Sequence, residues 1–532
     1  MNKKLIGIFV ITLLIISLVF NMVYGVEVIT DNKINSSEKH ALSAVSWYIE
    51  TVDSNGDVGR WNSIALDSND NPHIAYTNDA SHTNLQYATK SGLYSTWDHY
   101  IVDDEQPDYR GRYCEIALDS NDVPHIAYAN GTSSSNCKNV DLMHAKRTSN
   151  TPVTWQVEFV DTENFAGLYP SIALDSNDNP HISYLHQCTF DDDIPPNCIN
   201  PRSDLKYAYW DGVFWSIEWF LDDGTIHVSE SSIALDSNDE PRISFQDSGA
   251  NAGNLLYVES PTTLTYPDNI EYVDVDPQCR LGMHLCMELD SNDMPHIIYC
   301  DTTNHDLKYA YKTGSGWNIE SLNTNTMPTP EDDWFLSLVL DSNDRPHISY
   351  YDNNSKCVKY ARKIGVTWEF FLVDYVGTTS SVGGATSIDL DSCDYPHISY
   401  YDRTNGDLMY ARMNGCECVI DMNIQTGLFY NLANPYIIIN NIGERKCCGI
   451  VYNITTDCLG PFCDPGICCV NGWLDLSPAD SIIVEGCRPL SNSNIMCHRF
   501  KIYAWVWIDG CSQFFYEDIA DALAFGPFMF VW

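Results

Sequence analysis

The sequence predicts an all-β protein: a seven-bladed β-propeller whose N-terminal strand closes the last blade, followed by a disulfide-rich β-sandwich. Three observations predict it. A 14-residue motif recurs seven times, each repeat carries four strand signals, and the array opens with a lone fourth-strand signal while its last repeat lacks one. Internal repeats of this length belong to arrays in which each unit completes its core against a neighbour.

The motif reads SIALDSNDNPHIAY at 63–76 and returns at 115–128, 171–184, 232–245, 286–299, 337–350 and 387–400. Its first aspartate falls at Asp67, Asp119, Asp175, Asp236, Asp290, Asp341 and Asp391, spaced by 50 to 61 residues. The apolar SIALD segment suits an inner strand, and the DSND turn leads into a second strand, PHISY. Aspartate at the turn start caps backbone N–H groups, and proline opens a strand where no N–H is needed. A third strand follows in runs such as Leu205 to Ala208, and a fourth begins at a tryptophan, as at Trp317 and Trp368. Four strands per unit make a propeller blade. The seventh unit stops after Leu408 to Arg412, and Trp47 to Asp53 has the character of the missing strand. Pairing the two would join the chain ends in one sheet and remove the free edge.

These repeats, over residues 46–413, resemble NHL-type and sialidase-like (BNR) propellers. The SxDxGxTW Asp-box of sialidase repeats is absent, its place taken by DSND followed by proline. From Gly415 the composition changes. Eleven of the 20 cysteines follow, with strand signals at Tyr436 to Asn440, Gly449 to Thr455, Ser481 to Glu485 and Phe500 to Ile508. NPYIIINNIGERKCCGIVYNIT followed by GWLDLSPADSIIVEG resembles the CARDB-type immunoglobulin-like modules of prokaryotic surface proteins. This resemblance implies an Ig-like sandwich over 416–532.

Met1 to Gly25 has a basic start, an apolar run from Leu5 to Phe20 and small residues at its end, as in a secretory signal peptide. An uncleaved anchor is the alternative reading. Residues 26–45 read as a polar linker. Secretion suits the cysteine count, since disulfides persist in oxidising compartments. The expected product is extracellular, a monomer, and free of a transmembrane helix after cleavage. A net charge of -43 excludes nucleic acid as a partner, because phosphate contact needs clustered Lys and Arg.

The propeller holds nine cysteines and the tail eleven, so full oxidation requires a bridge between them. Cys393, in the last blade's first turn, is expected to pair with Cys416 or Cys418. Local pairs are expected at Cys188–Cys198 and Cys279–Cys286, and Cys114 is expected to pair with Cys137 because both fall on the opposite rim. Zinc is disfavoured in the tail, which has no paired CxxC motif.

Residues present in every unit read as scaffold. The recurrent histidine (His73, His125, His181, His296, His347, His397) becomes Arg242 in one copy, which suits a donor to the turn aspartate better than a base or ligand. Calcium is a possible cofactor at Asp53, Asn55 and Asp57, where oxygen side chains alternate, though no bidentate glutamate closes the loop.

Residues that differ between units are the candidate ligand contacts. Loops entering the first strands carry Arg60, Trp61, Tyr109, Arg110, Arg112, Tyr169, His227, Arg280, His284 and Trp334. Loops between second and third strands, on the same rim, add Asp79, Asp247, Asp301, Asp352 and Asp402. Aromatic faces beside carboxylates and guanidiniums suit a sugar-binding groove. The sequence therefore favours non-catalytic recognition of a glycan or an extracellular surface protein. An exo-acting glycoside hydrolase of sialidase type, or a polysaccharide lyase, is the competing class. A structural cell-envelope protein is the third.

Overall fold

The computed structural model describes residues 47–413, except loop segments 80–83, 93–94, 105–108, 132–139, 164–165, 188–202, 222–226, 248–252, 260–269, 276–280, 323, 325–335 and 376–384. Between 420 and 531 it describes the backbone of eight strands. The signal-peptide and linker expectations lie outside these residues. Among the described residues no helix is long and apolar enough to cross a membrane.

Seven four-stranded antiparallel sheets form the propeller. In the first blade, Val58–Leu66, Pro72–Asn78, Asn84–Thr89 and Asp98–Asp103 run in order from the inside outwards. The seventh takes three strands from Thr386–Leu390, Pro396–Asp402 and Asp407–Met413, and its fourth from Trp47–Asp53, with Trp47 opposite Met413. The closure expected from the unequal array ends is thus present.

Apolar side chains alternate along the strands and pack between blades. At the seam, Val52, Leu408 and Tyr410 of blade seven pack with Val58, Ile64, Ile74 and Tyr76 of blade one. The DSND turns add a polar ring. In each, the first aspartate accepts N–H groups of its own turn, as Asp67 does from Asn69 and Asn71 at 2.9 and 2.8 Å. The serine then reaches the last aspartate of the next blade's turn, through its N–H at 2.7 to 3.0 Å and its hydroxyl at 2.6 to 2.8 Å. Seven such links, from Ser68–Asp122 round to Ser392–Asp70, close the circle. That last aspartate is left-handed in every turn, a conformation aspartate tolerates well.

The recurrent histidines are scaffold. Their Nε2 atoms lie 3.3 to 3.8 Å from the turn aspartates, and Arg242 substitutes with a 2.6 Å contact to Asp236. Burial holds His73 down at about 4, in the neutral form that can share a hydrogen bond with Tyr87.

A glycine near the start of three inner strands lets neighbouring blades approach. At Gly167 (φ 104°) a Cβ would lie 2.6 Å from the Leu142 Cα of the preceding blade. Gly167→Ala is expected to cost about 2 kcal/mol or more, from strain and overlap together, measured by denaturant unfolding.

Two cysteine expectations are corrected. Cys114 and Cys286 are free thiols, so neither Cys114–Cys137 nor Cys279–Cys286 forms. Both sit on inner strands that face the next blade or the axis. The Cys114 thiol donates to the Trp61 carbonyl at 2.7 Å, and Cys286 lies 3.8 Å from the Leu338 carbonyl. Cys188 and Cys198 are outside the described residues. Cys393 is disulfide-bonded, to a partner also outside them. In the tail, Ile420–Thr426, Pro435–Asn441 and Ser481–Glu485 form a three-stranded sheet. Cys468–Leu476, Cys447–Leu459, Cys497–Ile508, Tyr516–Phe525 and Phe528–Val531 form a five-stranded one.

Candidate functional site

The inner strands do not enter their blades straight. In blades one, two, three and five the pairing with the second strand slips just before the repeat motif, between Arg60 and Ser63, Arg112 and Glu115, Leu168 and Ser171, and Met283 and Cys286. A bulge of this kind re-aims a side chain. Here the re-aimed residues are Trp61, Tyr113, Tyr169 and His284, with φ of 44°, 55°, 49° and 48°. Left-handed backbone costs a bulky residue roughly 1–2 kcal/mol, so four at one structural position are a strain that packing alone does not require. Glu230 occupies the same position in blade four, where the pairing also slips.

All five line one cavity of about 120 Å³ at the mouth of the axial channel. The cavity opens to solvent on one side, so a sugar substituent can enter and seat against its wall. Trp61, only 5% exposed, is a wall and not an open platform. Its ring meets Tyr113 edge-on at 5.3 Å, and Tyr113 lies 4.2 Å from Tyr169 between centroids. The Arg112 guanidinium sits 5.2 Å above the Trp61 ring, giving this side a fixed positive charge.

Opposite the aromatic wall, His284 Nδ1 is 3.4 Å from Glu230 Oε1. Burial drives the pair to neutrality. It pushes Glu230 up to about 8, against the lowering effect of backbone N–H groups of His284 and Leu285, and His284 down to about 4. The mouth therefore presents a neutral imidazole and a protonated carboxyl at pH 7. Just below, Glu115 is also raised, to about 7, by burial. These carboxyls keep some exposed area yet face a narrow channel walled by protein, which supplies little of water's solvation.

A ring of contacts holds this layer. Ser63, Ser171, Ser232, Ser337 and Ser387 each accept the N–H of an inner-strand residue in the next blade, at 3.1 to 3.2 Å, and Glu115 does so at 3.0 Å.

Of the expected ligand contacts, Trp61, Tyr169 and His284 converge on the cavity. Arg60 does not join them, lying 3.3 Å from Asp57 and 3.8 Å from Asp79. His227 donates its N–H to Asp247 at 3.2 Å. Tyr109 and Arg110 lie on the strand Tyr109–Leu118, their side chains outside the described residues, as are Arg280 and Trp334. Asp301, Asp352 and Asp402 cap N–H groups of their own loops.

The proposed calcium ligands have protein partners. Asp53 accepts from Asn55 N–H and the Tyr76 hydroxyl, and Asp57 from the Tyr401 hydroxyl and Arg60. Among the described residues no group of three or more His, Cys, Asp or Glu is placed to hold a metal.

Sequence reasoning missed Tyr113, Glu115 and Glu230. For Tyr113 and Glu230 the signal was present: two residues before each motif the sequence reads Trp61, Tyr113, Tyr169, Glu230, His284, Phe335 and Ala385, a variable column beside a nearly constant repeat.

No family model matches the chain, and no curated protein does. Among solved structures it is similar to an ulvan lyase described as a new family of polysaccharide lyase, with 14% identity over 68% of this chain and 96% of that one and a TM-score of 0.47. A Hadza microbial sialidase gives 12% identity over 62% and 73%, with a TM-score of 0.40. A leech intramolecular trans-sialidase gives 12% over 68% and 68%, with a TM-score of 0.34.

Proposed function

We propose that the protein is a glycan-active enzyme, a polysaccharide lyase that opens uronate-bearing chains by β-elimination at the channel mouth. The observation that carries this reading is the set of strained residues, Trp61, Tyr113, Tyr169 and His284, turned with Glu230 into one cavity. In the reaction His284 takes the proton on the carbon beside the uronate carboxylate. The electron pair left behind forms a carbon–carbon double bond, the glycosidic carbon–oxygen bond breaks, and a Tyr113 or Tyr169 hydroxyl protonates the departing oxygen.

The electrostatics suit an anionic sugar. With Glu230 and much of Glu115 protonated, the mouth lacks the negative charge that dominates the chain. A weakly basic buried imidazole gains proton affinity when a carboxylate enters beside it, so the base is switched on by the substrate. A retaining hydrolase instead needs an ionised carboxylate nucleophile beside its acid, and the two cavity glutamates are both held towards the protonated form. A sialidase site needs three arginines about one carboxylate. Among the described residues Arg60 and Arg112 have separate partners.

Secretion, and a tail built as an immunoglobulin-like spacer bridged through Cys393, belong to the same proposal. The Cys393 turn lies at the rim away from the mouth, so such a bridge leaves the cavity open. The test is incubation of the full chain with uronate polysaccharides, following the ultraviolet absorbance of the new double bond and the mass of the products. Unsaturated chain ends are expected. Saturated ends would make it a hydrolase, and saturable binding without cleavage would return the protein to the recognition class.

A further inference from the structure

Below the mouth the axial channel is lined by the third residue of each motif: Ala65, Ala117, Ala173, Ala234, Glu288, Val339 and Asp389. Two carboxyls thus stand in an otherwise apolar ring. The charges that act on Glu288 are those of Asp389 and Glu115. These three belong to blades five, seven and two, no two of which are neighbours, so the acids meet only across the axis. Asp389 is fixed by N–H groups of Leu66 at 2.7 Å and its own Leu390 at 2.8 Å, with Asp391 and Asp70 as its charged neighbours. Glu115 is fixed by Ile172 N–H at 3.0 Å.

We propose that Glu115, Glu288 and Asp389 form an axial proton path joining the His284–Glu230 pair to solvent at the opposite rim. It rests on the lyase reading. A substituent seated at the mouth shuts the nearest route to bulk water, yet before the next cycle His284 must give up the proton it took from carbon and the tyrosine must regain the one it gave to the departing oxygen, so the path passes one proton out and one back and the cycle releases none. Glu115 lines the same cavity as Glu230 and His284, and waters in the channel would carry the proton onward between carboxyls on different blades. Each carboxyl on the path accepts one proton and releases another, so no net charge accumulates. The serine ring assists: each Oγ accepts a backbone N–H, which leaves its own proton to donate. Burial keeps Glu288 up at about 8 and Asp389 at about 6, poised on either side of neutrality.

The test is the double variant Glu288→Gln with Asp389→Asn in the full chain, its fold verified by thermal melting. On a uronate polysaccharide, steady-state turnover is expected to fall tenfold or more while the single-turnover rate holds, and imidazole buffer, a diffusible proton carrier, is expected to restore it. Unchanged steady-state turnover overturns the path. An arm independent of activity uses carboxyl infrared absorption of the wild type at neutral pH. A protonated-carboxyl band is expected that shifts promptly in D₂O and weakens in Glu288→Gln. A missing or non-exchanging band overturns the path whatever the activity. An exchanging band without cleavage of any glycan supports the path and overturns the lyase reading alone.

Discussion

Replacing His284 by alanine is expected to lower turnover of a uronate polysaccharide by about 10²–10⁴-fold, the usual contribution of a positioned general base. KM should move little, because Trp61, Tyr113 and Tyr169 form the rest of the wall. Unfolding should shift by only about 1 kcal/mol, since the left-handed backbone at φ 48° is already strained in the wild type and alanine tolerates it only slightly less well than histidine. Glu230→Gln separates two accounts of the pair. Burial keeps Glu230 protonated, so an amide of the same shape should preserve most activity at neutral pH. Were the carboxylate ionised and holding an imidazolium, the same change would cost as much as losing His284. The wild type is also expected to lose activity as pH rises through about 8, when Glu230 ionises and repels an anionic substrate. A pH–rate profile of both variants, with initial rates read from product absorbance, decides the matter. A His284→Ala enzyme within twofold of wild type would eliminate this residue as the base.

The propeller was legible because its rules are local and repeated. Asp67 and its six counterparts could be assigned to turn capping from the DSND-Pro spacing alone, and the histidine-to-arginine exchange at Arg242 identified a donor without any structure. Closure by the Trp47 strand followed from counting strands at the two ends. The site was only half legible, for a physical reason. An aromatic residue two positions after a glycine reads as an exposed loop residue until a bulge is known to turn it inward, which is why the sequence offers Trp61 as an open platform and does not single out Tyr113. Among 72 acidic residues the sequence gives no local mark to Glu115, Glu288 or Asp389. Only the closing of seven sheets about an axis brings acids from blades two, five and seven within range of one another. The cysteines failed for a similar reason: proximity in sequence suggested Cys279–Cys286 and a shared rim suggested Cys114–Cys137, whereas inner-strand position sets the Cys114 and Cys286 sulfurs against carbonyl groups.

Glu288→Gln alone is expected to stabilise the propeller at alkaline pH and to do nothing in acid. Glu288 is raised from an ordinary 4.5 to about 8 in the folded protein, by burial first and then by Asp389 and Glu115. The folded state therefore holds its proton more tightly than the unfolded chain does. Below about 4.5 both states are protonated and the acid costs nothing. As pH rises towards 8 the unfolded chain releases the proton first, so stability is lost steadily across that window. Glutamine has no proton to lose. Once solvent within the channel is allowed for, the gain at pH 8 or above is about 1–2 kcal/mol, or roughly 1–3 °C in Tm. Glu115 and Glu230 act in the same direction in the wild type. The buried neutral histidines oppose them: His73, near 4, and His125, near 3, favour the folded state above the unfolded value of 6.5 and withdraw that support as pH falls through 6.5 towards 4. These opposing groups place the stability optimum of the wild type at roughly pH 5–7, in the lower part of the usual range of about pH 5–8. Calorimetric melting of wild type and Glu288→Gln from pH 4 to pH 9 tests this directly. The two curves should coincide in acid and diverge upwards through neutrality. Parallel curves at every pH would mean that Glu288 is ionised throughout and that the axis is wetter than its alanine and valine lining implies.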